Sequence, residues 1–274
     1  YFDKKIAIVN PQRAPVVAKV NSPDFDIQFF PEGGDLVSGI ASKVGFKAVN
    51  KSGKGIDFTG AVVDQKNDTV AKFQPLKFGM GHFSFTPIAG NTYKAVIRTG
   101  STPLVKDMPA IKEKGYVMTL TDAGSDKLQL IVNSSATSSD GSVYLFAHTG
   151  QVVKMAQRAP QINGTATFAI DKSTLNDGIS HLTVFDGDKR PVCERLYFKR
   201  PTKNLVIDAA SDQQNYGNRK KVAISLDAKD QSGKLLEANL SMSVYQLDAY
   251  QTLEPGDISS YFWLSSDLDR KSTA

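Results

Sequence analysis

Three histidines, one cysteine and a few closely spaced aspartates are the residues in this 274-residue chain with potential for chemistry. His82, His148 and His181 lie far apart, each in or beside an alternating apolar/polar run. A zinc centre wants several His, Cys or carboxylate ligands converging tetrahedrally, and no His-x-His or Cys-x-x-Cys spacing is present. The histidines read as strand-surface residues, and neither metal nor cofactor is expected. Cys193 sits in Pro191-Val-Cys-Glu-Arg195, between Val192 and Glu194 in a strand-like run. A low-pKa thiolate needs a helix N-terminus or an adjacent His, so Cys193 is expected to be structural. The Gly-x-Ser-x-Gly elbow is missing, and with it the strand-turn-helix setting that such a serine requires. Asp186-Gly-Asp188 and Asp122…Asp126 offer hard oxygens for calcium, but the EF-hand pattern with its closing Glu is absent. Asp and Gly are also what a tight hairpin needs sterically. No catalytic residue is expected, and the chain reads as a non-enzyme.

One segment stands out as a possible interaction surface: Phe29 and Phe30, followed by Pro31, Glu32 and two glycines. It reads either as a strand end before a Gly turn, with one Phe in the core and the other at a domain contact, or as a lip for partner binding or sugar stacking. Exposed aromatics rimmed by polar residues mark interaction sites.

The elements that carry these residues are strands. Three times an alternating run breaks at a small polar turn and restarts: 44–49 into 56–63, 143–149 into 152, and 222–228 into 238–246. Ser52-Gly-Lys54 recurs as Ser232-Gly-Lys234. Residues 25–108 hold roughly seven short β-runs and 109–200 repeat the scheme, the count expected of an immunoglobulin-like sandwich. Residues 1–24 read as the end of a preceding domain plus a Pro-rich linker. Residues 201–274 read as a partial third sandwich, with a short helical segment near 258–268 carrying the only tryptophan, Trp263. Scarce helix argues against an α/β enzyme core.

Composition sets further bounds. Hydrophobic residues make up 41% and charged residues 22%, ordinary for globular material, and no apolar run approaches the ~20 residues of a membrane-spanning helix. The net charge of +5 is dispersed, with Arg219-Lys-Lys221 and Lys112-Glu-Lys114 as its densest spots, so no nucleic-acid partner is expected. The opening Tyr1-Phe-Asp carries neither an initiator Met nor a leader, which suggests a piece of a longer protein. A single cysteine suits a bacterial envelope protein stabilised by ordinary cores. Sequons at Asn67, Asn133, Asn163 and Asn239 would matter only in a eukaryotic secretory route.

Three stretches resemble the macroglobulin-like domains of large Gram-negative envelope proteins, of the α2-macroglobulin MG2 type. They are Phe29-Phe-Pro-Glu-Gly-Gly through Val49, Gly178-Ile-Ser-His through Phe198, and Ala238-Asn-Leu-Ser-Met-Ser-Val-Tyr-Gln-Leu-Asp248. Ser259-Ser-Tyr-Phe-Trp-Leu-Ser-Ser-Asp-Leu268 also recurs in that bacterial group. The resemblance implies an all-β chain of tandem immunoglobulin-like, macroglobulin-like antiparallel sandwiches. It also implies localisation to the cell envelope, in the periplasm or at the outer membrane. Some relatives lie beside TonB-dependent uptake systems, which implies an envelope or outer-membrane protein as partner. The Cys-Gly-Glu-Gln thioester of the protease-trapping relatives has no counterpart here, because Cys193 is followed by Glu-Arg. Three functions stay open: a non-catalytic scaffold and protein-interaction fragment, a carbohydrate or other ligand-binding module of an uptake system, and accessory domains of an enzyme or protease trap whose active part lies elsewhere. The ligand-binding reading predicts aromatic side chains clustered and exposed on one sheet face.

Overall fold

The computed structural model describes residues 25–100, 103–124, 126–136, 138–203, 205–242, 244 and 258–268. The expected linker at 1–24 lies outside them. In chain order the strands are β1 (Phe25–Pro31), β2 (Leu36–Val37), β3 (Ser42–Asn50), β4 (Thr59–Asp64), β5 (Thr69–Phe73), β6 (Met80–Phe85), β7 (Tyr93–Arg98), β8 (Leu104–Asp107) and β9 (Ile111–Lys112). They continue with β10 (Tyr116–Asp122), β11 (Lys127–Ser134), β12 (Ser142–Thr149), β13 (Val152–Pro160), β14 (Thr165–Asp171), β15 (Gly178–Phe185), β16 (Pro191–Lys199), β17 (Val206–Ser211) and β18 (Ile224–Lys229). Helix, among the described residues, is confined to 258–268, where it widens to a π-type turn over Tyr261–Ser265. The chain is all-β, built of antiparallel β-sandwiches. None of its described helices is long and apolar enough to cross a membrane.

Contacts divide the chain into two compact units, and neither is one continuous stretch. Of the described residues, the first takes 25–30, Val44–Ser84 and 91–108; the second takes Pro31–Lys43, Phe85–Gly90 and those from Pro109 on.

In the first unit, sheet β1-β3-β6 faces sheet β5-β4-β7-β8. Alternation along β3 turns Val44, Phe46 and Ala48 inward, and β7 contributes Tyr93, Ala95 and Ile97. Aromatic rings fill the space between the sheets. Phe73 stacks on Phe83 with centroids 4.7 Å apart and meets Phe46 at 5.0 Å, while Phe58 packs edge-on at 5.5 Å from Phe46. Gly60 makes room for them: a Cβ there would stand 2.4 Å from the Phe73 ring.

In the second unit, sheet β10-β11-β14 packs on sheet β13-β12-β15-β16. Inward residues of both merge into one core, among them Met118, Leu128, Leu130, Phe168 and Ile170 from the first sheet and Leu145, Leu182 and Val184 from the second. Burying each of the large aliphatic side chains contributes about 1.5–3 kcal/mol. The short parallel pair β2–β9 also belongs here, with Leu36 opposite Ile111. The hairpin β17–β18 follows; its residues are exposed apart from Ala228 and Lys229, and Val206, Ile207, Ile224 and Leu226 face solvent. Of the run 238–246 expected as a strand, residues 243, 245 and 246 lie outside the described residues and the others join no sheet.

Four hairpins share one turn. Asn50, Asp64, Asp186 and Asp230 each accept, at Oδ1, the N–H groups two and four residues on, at 2.8–3.0 Å. The residue three positions on has positive φ in every case: Gly53, Asn67, Lys189 and Gly233. This is a three-residue loop that ends in a left-handed residue, locked by an Asx side chain.

Candidate functional site

Alternation gives the sheet β13-β12-β15-β16 a second, outward face, except at the start of β15, where Gly178, Ile179 and Ser180 are all buried. On β12, Val143, Leu145, Ala147 and Thr149 turn into the core, which sends Tyr144, Phe146 and His148 outward; all three are half-buried. On β15, Ser180, Leu182 and Val184 are buried, so His181, Thr183 and Phe185 share that outer face. Cys193 points inward on β16, and its outward neighbours are Glu194, Leu196 and Phe198, the last two each 40% exposed. The sheet therefore displays a row of rings.

Two arrangements occupy this face. At its centre, His148 lies opposite His181 in the β12–β15 register, and the imidazoles stack 4.7 Å apart and 6° from parallel. Phe146 continues the row, 5.9 Å from His148. His181 Nδ1 is 3.2 Å from a Glu194 carboxylate oxygen, whereas His148 Nδ1 is buried and meets no hydrogen-bonding partner among the described residues. Towards the 186–190 turn, Tyr144 donates its hydroxyl to Asp140 Oδ2 at 2.6 Å. That hydrogen bond holds the Asp140 carboxyl below its ordinary pKa. Lys189 Nζ lies 2.8 Å from the centroid of the Tyr144 ring and the Arg158 guanidinium 5.9 Å from it. A groove of about 480 Å3 runs beside these groups, lined by Phe146, Ala156 and Phe185 as well.

Among the described residues, the sheet also has an open side. β13 is an edge strand nine residues long, with Val152 and Val153 more than half exposed. At the opposite edge, Glu194 N–H on β16 donates to Gly33 O at 3.3 Å, so part of that edge is already covered.

The residues singled out in sequence are placed as follows. Phe29 packs edge-on against Phe73 at 5.8 Å and Phe83 at 6.2 Å in the first unit, whereas Phe30 is 53% exposed. Glu32 is turned inward in the second unit, where its carboxylate pairs with Arg195 and accepts the Leu120 N–H at 2.9 Å. Phe29 and Glu32 are thus engaged in interiors, and Phe30 remains as the exposed member. Cys193 is 3% exposed, and burial pushes its thiol up to about 12. His82 is exposed on β6. Asp186, expected in a turn, is one of the four hairpin locks; its carboxylate takes the Asp188 and Arg190 N–H groups and the Arg190 guanidinium, while Asp188 pairs with that guanidinium at 2.7 Å.

Tyr144, Phe146 and Phe185 escaped attention in sequence, although their signal was there. Once 143, 145 and 147 are assigned to the core, the intervening Tyr144, Phe146 and His148 must share the other face.

No family model matches the sequence, and no curated protein matches it. Among solved structures, the chain is similar to the BSP domain of a biofilm-associated protein, with 16% identity over 64% of this chain and 30% of that one at a TM-score of 0.32. It is also similar to Salmonella alpha-2-macroglobulin reacted with methylamine, with 10% identity over 80% of this chain and 21% of that one at a TM-score of 0.25. The chain thus spans less than a third of the length of either protein.

Proposed function

We propose that this chain is a non-catalytic interaction module of a larger bacterial envelope protein, and that it binds a protein partner on the outer face and β13 edge of the second unit. One observation carries the reading: a four-stranded sheet places Phe146, Phe185, Leu196 and Phe198 on the side away from its core. A sheet already packed on one side needs no such residues on the other, and apolar groups rimmed by charge mark binding surfaces. The neighbouring edge offers unpaired backbone groups to an added strand. The absence of a reactive thiol at Cys193 agrees with a binding role, since a buried, protonated sulfur is a poor nucleophile. The envelope setting, and an outer-membrane transporter of the TonB-dependent kind as partner, rest on the sequence resemblance. Carbohydrate recognition is the second reading, favoured by the rings gathered on one sheet face.

The test is affinity capture from a bacterial envelope extract, with the 274-residue chain and its Leu196→Glu/Phe198→Glu variant as parallel baits. An envelope protein retained by the first and lost by the second supports the reading, provided the far-UV circular dichroism of the baits agrees. Identical retention by both baits, or none by either, overturns it.

A further inference from the structure

A second cavity, of about 610 Å3, lies in the second unit between the end of β12, the loop before β15 and the helical segment 258–268. Its size falls within the range of small-molecule sites, about 300–1,000 Å3. One wall is aromatic, with Phe262 61% exposed and Trp263 36% exposed. Gly178 lets Trp263 approach. Its φ is +93°, and a Cβ there would stand 3.2 Å from the indole Cε3, so both the backbone and the contact favour glycine.

The facing wall is polar, built from the loop that carries Ser173, Asn176 and Asp177. Lys199 braces this loop: its Nζ donates to the carbonyls of Lys172 at 3.1 Å and Leu175 at 2.8 Å, and lies 3.8 Å from Asp177 Oδ1. The one cation and the one carboxylate therefore offset each other. An anionic ligand would meet Asp177 and a cationic one Lys199, so the lining favours neither. The exposed Asn176 side chain forms no hydrogen bond to a described residue, which leaves its amide both a donor and an acceptor for a ligand.

An uncharged ligand that suits these walls needs an apolar face for the indole and a hydroxyl edge for the carboxylate and amide. A pyranose ring has both. Its C–H face packs on an aromatic ring, and vicinal hydroxyls donate to a carboxylate while also exchanging bonds with an amide. We infer that the cavity between Trp263 and the Asn176–Asp177 loop binds a neutral saccharide. Tyr144, Phe146, Phe185, Leu196 and Phe198 do not line it; of the surface proposed for a protein partner, the cavity shares only Val152 at the start of the β13 edge.

Trp263 is the only tryptophan in the chain, so fluorescence excited at the red edge of the indole absorption, beyond that of the nine tyrosines, reports on this cavity alone. The full chain is titrated with soluble malto-, cello-, xylo- and chito-oligosaccharides to about 10 mM, the range of weak single-site binding. A saturable change in emission is expected with at least one series, with affinity at least tenfold weaker in Asn176→Ala and lost in Asp177→Ala. Asn176 is exposed, so its variant keeps the fold and the test stands even where Asp177→Ala unfolds. No saturable change with any series overturns the assignment, as does unchanged affinity in Asn176→Ala. Neither result touches the outer-sheet surface, which is read out by capture with Leu196→Glu/Phe198→Glu.

Discussion

Glu32 and Arg195 pair with each other and together hold both backbone polar groups of one residue, Leu120. Glu32 Oε1 accepts the Leu120 N–H at 2.9 Å, and Arg195 Nη1 donates to the Leu120 carbonyl at 3.3 Å. Leu120 lies on β10, an edge strand whose other side pairs with β11. An unpaired sheet edge is a liability, and here two side chains close it from segments 88 and 75 residues away in sequence. The Glu32 side chain is 8% exposed, so its charge depends on this partner.

The pair should therefore behave as a unit. Arg195→Met leaves a buried carboxylate without its counter-charge and is expected to cost about 3–5 kcal/mol, the range for breaking a buried pair from one side. Glu32→Leu/Arg195→Met removes both charges and should recover most of that loss. Urea unfolding of the three proteins checks this; a double variant no more stable than Arg195→Met would show that the pair is not what the edge depends on.

The shared turn makes a second prediction. Asn50→Ala removes the acceptor for the N–H groups of Ser52 and Lys54 and should destabilise the first unit by about 1 kcal/mol, the usual net value of such hydrogen bonding. Asn50→Asp keeps the acceptor, as Asp64, Asp186 and Asp230 do in the sister turns, and should be nearly neutral. Thermal unfolding by circular dichroism separates the two outcomes.

How much of this was legible in the sequence depends on the range of the contacts involved. Every strand expected in 109–200 is present, because alternation at 116–120, 127–132 and 143–146 reflects a core on one side and is a local property. The recurrence of Ser-Gly-Lys pointed to a common turn, although the lock is the preceding Asn50 or Asp230, and its relatives at Asp64 and Asp186 share only the Asx position. What was not legible depends on distant partners. Glu32 stands beside a glycine turn in the segment named as a possible interaction surface, and only Arg195, 163 residues on, draws it inside. The Trp263 cavity was invisible for the same reason, since it depends on a helical segment meeting Gly178. β4 begins at Thr59, three residues after the expected Ile56, because the preceding residues form a bridge at Gly55 and then run outside any sheet.

Acid should weaken the second unit through Asp186. Burial alone would raise its pKa, but hydrogen bonds from the Arg190 N–H and guanidinium outweigh it and leave the carboxyl below its ordinary value. A carboxyl with a depressed folded pKa contributes stability that is complete well above its unfolded value, about 3.9, and is lost as pH falls through that value towards the folded one. Asp122, Asp140 and Asp171 are shifted the same way, by Lys172, Tyr144 and Ser173 respectively. Stability is therefore expected to be flat from neutral pH to about 5 and to fall below about 4. Asp186→Asn should be less stable at neutral pH and lose less on acidification, which denaturant midpoints measured across that range would reveal.

Cys193 supplies the sharpest chemical prediction. Its thiol faces the core from β16, near Gly33, and burial raises its pKa to about 12. At pH 8 an exposed cysteine, with a pKa near 8.5, is about one-quarter thiolate, whereas this one is ionised to about one part in ten thousand. Alkylation requires the thiolate and also physical access, so the native protein should react with iodoacetamide at least about a thousandfold more slowly than the urea-unfolded chain. Because Cys193 packs in the core of the second unit, the residual native rate should follow opening of that unit and slow with any variant that stabilises it. Rapid labelling under native conditions would mean that β16 exposes its inner face, and with it the sulfur that the non-catalytic reading takes to be inert.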